Sequence, residues 1–379
     1  MNNSKTKILY IINNFSMGGA EKMLLDLCSH IDKSKFEVAV ATVNGGGVLL
    51  EDFQKLGITL YINEKKGKIS LGSISKLRRV IRDFNPTIIH THLFAGDTWG
   101  RIAAMLEGAP YVVMTEHNQN LNEGFIKKSV KHFLSYMTSV IVAVSQQVAD
   151  YDAKKELISD KKFEVIQNGI EVKKFPFRGV KIKRYGDAGI TLLSVGRLVE
   201  QKGHIYALEA LAKLSQEDLD VRLVILGDGE LREDLEHAVK SLRISDRVAF
   251  VGTQKDTASY LTSSDIFVFP SLFEGQGIVL LEAMSVGVPI IASDIPAVNG
   301  LIRDGVTGAL FEPRDSDALA AAVKKLLMDV AAQERYITAA REVVTNHFSV
   351  AGMVKSYESL YEKMLANPQH YALRFTRKQ

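Results

Sequence analysis

Two consecutive α/β domains of the doubly wound type are predicted for this chain. Three observations carry the prediction. Short runs rich in Val, Ile, Leu and Tyr alternate with amphipathic stretches from end to end, which is the βαβα rhythm of parallel sheets covered on both faces. The length, 379 residues, is long for one core and suits two. The alternation breaks once, over residues 168–188, in a polar, basic and turn-rich stretch.

The strand candidates of the first half are residues 8–12, 36–42, 59–62, 88–90, 111–114, 140–144 and 164–166. Those of the second half are 190–195, 221–226, 248–251, 266–269 and 289–292. Such continuous apolar runs suit strands buried on both faces. The stretch from Asn168-Gly169-Ile170 to Arg184-Tyr185-Gly186 is the expected linker. Each half opens with a strand and a glycine loop, Met17-Gly18-Gly19-Ala20-Glu21 in the first and Gly196-Arg197-Leu198 in the second. Both loops sit at the carboxyl ends of strands, where open α/β sheets bind ligands. Neither carries the dinucleotide or P-loop fingerprint.

Hydrophobic content of 46% with 24% charged residues is ordinary for a soluble globular protein. The single cysteine, Cys28 in an apolar run, excludes a disulfide framework and a cysteine-based metal site; a buried, inert thiol is expected. Residues 1–7 are polar, and no run has the length to span a bilayer. A cytoplasmic protein is expected. The net charge of +3 is unevenly spread: residues 1–185 hold 27 Lys/Arg against 18 Asp/Glu, the remainder 20 against 26. Basic clusters stand at Lys65-Lys66-Gly67-Lys68, at Arg78-Arg79-Val80-Ile81-Arg82 and at Lys127-Lys128-Ser129-Val130-Lys131. Each alone reads as a solvated face. Together they point to an anionic partner of the first half, a membrane surface or a phosphorylated acceptor. Nucleic acid is not expected, because the basic stretches lack interleaved aromatics.

The chemistry concentrates in Glu274-Gly275-Gln276-Gly277-Ile278-Val279-Leu280-Leu281-Glu282-Ala283-Met284. Glu274 sits in a glycine loop and Glu282 in an otherwise apolar helix, where a carboxylate is costly without a partner. Gly275 and Gly277 let the backbone turn and approach a ligand. The helix that follows presents free N–H groups and its positive dipole end, suited to a phosphate. Ile278 and Glu282 share one helix face, so Glu282 can reach a ribose hydroxyl pair while Glu274 meets hydroxyls on the other side. The competing reading makes Glu274 a turn cap and Glu282 half of a buried ion pair.

Arg197 and Lys202 follow the strand at 190–195 and supply the fixed charge and donors a diphosphate needs. Gly227-Asp228-Gly229-Glu230 ends another strand and opens a helix; it can cap that helix or touch the ligand, and capping is the expected role. In the first half, His90-Thr91-His92 and Glu116-His117-Asn118 cluster near strand ends. His90 and His92 share one strand face, yet no third ligand has a metal-binding spacing. The Asp pairs 150/152 and 315/317 read as N-caps.

These residues add up to a resemblance. Gly18-Gly19-Ala20-Glu21, His92, Thr115-Glu116-His117, Asn168-Gly169-Ile170, Gly196-Arg197-Leu198 with Lys202-Gly203, and Gly227-Asp228-Gly229 stand in order along the chain. Ser264-Asp265, Pro270-Ser271, the 274–284 segment and Gly287-Val288-Pro289 complete the series. The chain resembles glycosyltransferase family 4, retaining enzymes of the GT-B fold, over nearly its whole length. The resemblance implies two Rossmann-like domains facing each other across a cleft. It implies an acceptor-binding domain over 1–172, a donor-binding domain over 173–352, and a C-terminal helix at about 353–372 packed back on the first.

It also implies roles. Arg197 and Lys202 hold the donor diphosphate, Glu282 the ribose and Glu274 the sugar ring hydroxyls. Gly277, Ile278 and Val279 offer backbone donors, Gly19 lets its loop close over the donor, and His117 contacts the sugar. Transfer is then metal-independent, needs no cofactor beyond the nucleotide-sugar, and retains configuration by a front-face route. The implied donor is a UDP-sugar. The implied acceptor is a glycan or lipid-linked saccharide of bacterial capsule, exopolysaccharide or O-antigen assembly, with a peripheral contact on the inner face of the membrane. The family often carries a bulky apolar residue where Gln276 stands, so the pocket wall near the sugar is expected to be more polar here. A UDP-sugar 2-epimerase of the same shape and a non-catalytic nucleotide-sugar-binding protein are the competing functions.

Overall fold

The structure, a computed structural model, describes residues 5–63, 71–119, 124–217 and 219–373. It divides into two compact units, one of Met1–Gly169 with Val350–Gln379 and one of Ile170–Ser349. The chain passes between them at Gly169/Ile170 and at Ser349/Val350, a few residues before the boundaries expected at 172 and 352.

Among the described residues the first unit holds seven strands: β1 (Thr6–Ile12), β2 (Phe36–Thr42), β3 (Thr59–Ile62), β4 (Ile88–His92), β5 (Tyr111–Glu116), β6 (Val140–Ala143) and β7 (Phe163–Val165). They form one parallel sheet in the order β3-β2-β1-β4-β5-β6-β7. The order reverses between β1 and β4, so the carboxyl ends of these two strands flank the switch point at which such sheets bind ligands. β4 and β5 run further than their apolar runs announce, through Thr91 to His92 and through Thr115 to Glu116. These polar ends are buried and paired in the ladder, His92 opposite Thr115.

The C-terminal helix Val350–Ala366 belongs to this unit and packs on the helix Gly19–His30. It buries Tyr357, Leu360, Tyr361 and Met364. Glu358 accepts from the Asp32 N–H at 2.7 Å, and Lys35 pairs with Glu362 at 2.9 Å. The helix ends before the expected 372, with a short turn of helix at Pro368–Tyr371. Cys28 is buried and free, and burial pushes its thiol pKa far up.

The second unit holds β8 (Ile190–Val195), β9 (Val221–Leu226), β10 (Val248–Gly252), β11 (Ile266–Phe269), β12 (Ile290–Ser293) and β13 (Ala309–Phe311), parallel in the order β10-β9-β8-β11-β12-β13. The period of two sorts each strand between two cores. Ile190, Leu192, Ile266 and Val268 face one, with the helices His204–Gln216 and Ser316–Met328; Leu193, Phe267 and Phe269 face the other, with Ile278–Val286. The switch point lies between β8 and β11. β13, three residues long, escapes the hydropathy pattern.

Three expectations need correction. The stretch 168–188 is no free linker, because from Ile170 onward it is bonded into the second unit. The Ile170 N–H donates to Phe348 O at 2.9 Å. The Arg178 guanidinium donates to the carbonyls of Gly287, Thr262 and Ser264, and Lys181 pairs with Asp265 at 2.8 Å. Asp150 and Asp152 lie inside the helix Gln146–Glu156, which is capped by Ser145 accepting from the Val148 N–H at 3.3 Å; only Asp315 is the cap expected, accepting from the Ala318 N–H at 2.8 Å. Asp228 does not cap the helix Arg232–Ser241, whose N-cap is Leu231 without a side-chain bond. Its carboxylate accepts from the adjacent Gly229 N–H instead.

Candidate active site

The site of the second unit is built from the loops that leave β8 and β11. After β8 the chain passes Gly196 and Arg197, makes a turn of 3₁₀ helix at Glu200–Lys202, and enters the helix His204–Gln216. Gly203 joins the two turns at φ +61°, and a Cβ there would lie 2.1 Å from Pro270 O. Glycine is therefore what lets the β8 loop sit against the end of β11. Two bonds fix that approach: the Leu272 N–H donates to Gln201 O at 2.8 Å, and Gln201 Nε2 donates to Phe273 O at 2.9 Å.

The docked loops bring two of the expected site residues together. Lys202 Nζ pairs with Glu274 Oε1, and the same ammonium lies 5.7 Å from the centroid of the Phe269 ring. Glu274 is buried and Lys202 half-buried. Arg197, from the same loop, is exposed and makes no ion pair among the described residues. Behind them His204 is buried, with Nδ1 3.2 Å from Ser194 Oγ. Burial pushes its pKa down to about 4, and the charge of Lys202 acts in the same direction. It is neutral at pH 7.

Gly277 caps the helix Ile278–Val286 at φ +76°, with no side chain bonded to the cap. The first N–H groups of a helix have no intrahelical partner, and those of Ile278 and Val279 stand at this open end, on half-buried residues. One turn further, Glu282 is buried and accepts from Thr257 Oγ1 at 2.9 Å. Thr257, on the neighbouring helix, thus gives this carboxylate a hydroxyl donor. Thr257 opens the helix Thr257–Ser263 behind its cap Asp256, and sequence reasoning passed over it because Asp-Thr at a helix start reads only as a cap. Gln276 is buried, so its polar side chain is part of the interior of this loop.

The first unit carries the other expected residues. Gly19 opens the helix after the β1 loop. At the ends of β4 and β5, His92 Nδ1 lies 3.0 Å from His117 Nε2, and the rings of His90 and His92 stack at 4.3 Å. His90 is committed on both nitrogens, to Tyr361 Oη and to Thr115 Oγ1, each at 2.7 Å. Burial lowers the pKa of all three imidazoles, that of His117 to about 4. His92 Nε2 is buried without a partner. A buried N–H without an acceptor is costlier than a bare lone pair. On this ground His92 carries its proton on Nδ1 and donates to His117, and His117 carries its own on Nδ1.

Below them runs a buried charge network that the sequence does not announce. Asp97 pairs with Arg101 and accepts from Thr91 Oγ1 at 2.8 Å, and Lys131 pairs with Glu116 at 2.9 Å and Glu156 at 3.1 Å. Among the described residues no cluster of three or more His, Cys, Asp or Glu is arranged to hold a metal ion.

Comparison with known proteins decides the family. The family model "Glycosyltransferase Family 4" matches residues 17–174, and "Glycosyl transferases group 1" matches 181–343. The UDP-Gal:alpha-D-GlcNAc-diphosphoundecaprenol alpha-1,3-galactosyltransferase of Escherichia coli is 30% identical over 311 residues, which are 78% of this chain and 80% of that protein. The chain belongs to glycosyltransferase family 4. The family-4 enzyme is similar also to the lipopolysaccharide core biosynthesis glycosyltransferase LpsE of Rhizobium meliloti, 30% identical over 57% of this chain and 61% of that one. Its fold is that of Anabaena HepE, solved in complex with UDP and glucose. The TM-score is 0.82 at 20% identity, over 94% of this chain and 100% of that one. The two parallel-sheet α/β units are therefore those of a GT-B glycosyltransferase, and the epimerase and binding-protein readings fall away.

Proposed function

We propose that this glycosyltransferase moves a sugar from a UDP-sugar to a glycan or lipid-linked saccharide in bacterial surface-polysaccharide assembly, with retention and without a metal. The observation that carries the reading is the Lys202–Glu274 pair, held where the β8 and β11 loops meet at the switch point of the second sheet. The UDP donor and the lipid-linked acceptor are those in the name of the Escherichia coli relative.

In this reading Arg197 and Lys202 take the diphosphate, and the open helix start at Gly277, Ile278 and Val279 adds N–H donors. Both stabilise negative charge as the sugar–phosphate bond breaks. Glu274, steadied by Lys202, accepts from sugar ring hydroxyls. Glu282, which accepts from Thr257 Oγ1, takes the ribose hydroxyls. In the first unit, His117 offers its Nδ1–H to the sugar, and Gly19 keeps the loop after β1 free of a side chain. The acceptor oxygen bonds to the anomeric carbon on the face that the diphosphate leaves, and the acceptor proton passes to the departing phosphate oxygen. No protein base is needed.

Peripheral contact with an anionic membrane is part of the proposal. Of the three basic clusters, residues 65–68 lie outside the described residues, as does the basic tail Arg374-Phe375-Thr376-Arg377-Lys378, which the sequence offers to the same contact. Arg78 and Arg82 are spent on Glu107, and Arg79 faces Asp83. Lys131 is buried, which leaves Lys127 and Lys128.

The test is nucleotide release across a panel of UDP-sugars with a lipid-linked acceptor extract. Release that depends on the acceptor and yields an α-linked product from an α-linked donor supports the reading. An inverted product, or release abolished by EDTA and restored by a divalent cation, contradicts it.

A further inference from the structure

The helix Phe125–Ser135 is folded with its apolar side outward. Its buried face is Lys131, Leu134 and Ser135, and Lys131 points inward to Glu116 and Glu156. At 3.6 residues per turn the opposite face carries Phe125, Ile126 and Phe133, continued by Tyr136 in the turn that follows. These are 84%, 79%, 60% and 62% exposed. Lys128 borders this face, while Lys127 stands on the side of the helix that carries Leu134 and is exposed in its first turn. Lys127 Nζ lies 4.9 Å from the centroid of the exposed Phe94 ring. The helix contains no Asp or Glu, and neither Lys127 nor Lys128 makes an ion pair among the described residues.

An exposed helix face that carries three aromatic rings and an isoleucine marks an interaction surface. From this geometry, and resting on the proposed membrane contact, we infer that the helix Phe125–Ser135 is the element that docks the first unit on an anionic bilayer. The partner follows from charge and shape. Bulky apolar side chains on a short helix whose first turn also carries Lys127 and Lys128, with no acidic residue, match the boundary between acyl chains and anionic headgroups. No helix among the described residues is long and apolar enough to cross a membrane, so the contact is interfacial. The inversion has its cause in the chain itself: the charge network around Glu116 recruits Lys131 inward, which turns the phenylalanines out. The helix begins eight positions after His117, so docking sets the β5 end of this unit beside the lipid surface.

The experiment is co-sedimentation of the full chain with phosphatidylcholine vesicles carrying about 30% phosphatidylglycerol, and with phosphatidylcholine alone. The wild type is expected to bind the anionic vesicles more tightly. F125S/I126S/F133S should lose roughly tenfold or more in affinity. K127E/K128E should lose a similar factor at low salt and little at high salt. Phe125→Trp should show a blue shift and quenching by brominated lipid above the Trp99 background. These positions are exposed, and thermal melts unchanged from wild type verify folding. If wild type and variants bind alike, the assignment to this helix is wrong while the membrane contact stands. If the wild type does not bind, both are wrong. If instead the apolar triple variant abolishes a dimer seen by sedimentation velocity and leaves vesicle binding intact, the face serves a second copy and the inference is overturned.

Discussion

Lys202 holds its ammonium between a carboxylate and an aromatic face, and adds an ion pair to the Gln201 bonds that link the two loops of the second unit. Lys202→Ala should lower kcat by about 10²-fold or more, the scale of a lost donor to developing charge, read as initial rates of nucleotide release. Glu282→Ala should act differently. Its proposed ribose contact is equal in ground and transition states, so KM for the donor should rise by roughly tenfold with kcat little changed. The histidines make a prediction about acid. The folded-state pKa of His204 is about 4 against an ordinary 6.5, so the unfolded chain binds the extra proton first. Stability is then full above pH 6.5 and falls as pH drops towards 4, by about 3 kcal/mol for one such buried site. His90, His92 and His117 act in the same sense. Urea midpoints measured from pH 7.5 to 4.5 should decline. A flat profile would show that these imidazoles titrate normally.

At the scale of elements, the β8 and β11 loops meet only because Gly203 admits Pro270 O where a Cβ would stand. Gly203→Ala combines that clash with a left-handed backbone, and should cost at least about 2 kcal/mol, seen as a lower urea midpoint at unchanged slope. The strand-and-loop grammar here was legible in sequence. Among the described residues, apolar runs named every strand except the three-residue β13, and Gly-Arg-Leu and Lys-Gly marked the loop after β8. The pairing of Lys202 with Glu274, 72 positions apart, was not legible, because no local pattern encodes which loop a lysine reaches. The same holds for Thr257 with Glu282 and for His90 with Tyr361. Lys131 is the clearest case. Among lysines in sequence it reads as surface charge, and only the two carboxylates that meet it in the fold make it a buried residue.

At the scale of the whole molecule, the first unit is assembled from both ends of the chain. Truncation after Ser349 removes Tyr361 from His90 and exposes the apolar face of the helix Gly19–His30. Hydrogen exchange should then show lost protection through β1 and β4 with β8 and β11 unaffected, and the truncated chain should still bind UDP by calorimetry. Equal loss in both units would mean that they do not fold as separate bodies. The central claim, that Lys202 and Glu274 act as one device on a UDP-sugar, has a direct measurement. It is kcat/KM for acceptor-dependent nucleotide release by the wild type, Lys202→Ala, Glu274→Ala and the double variant, each verified as folded by circular dichroism. A coupled pair predicts that each single variant falls by about 10²-fold or more and that the double is little worse than the weaker single. Single variants within a few-fold of wild type would contradict it.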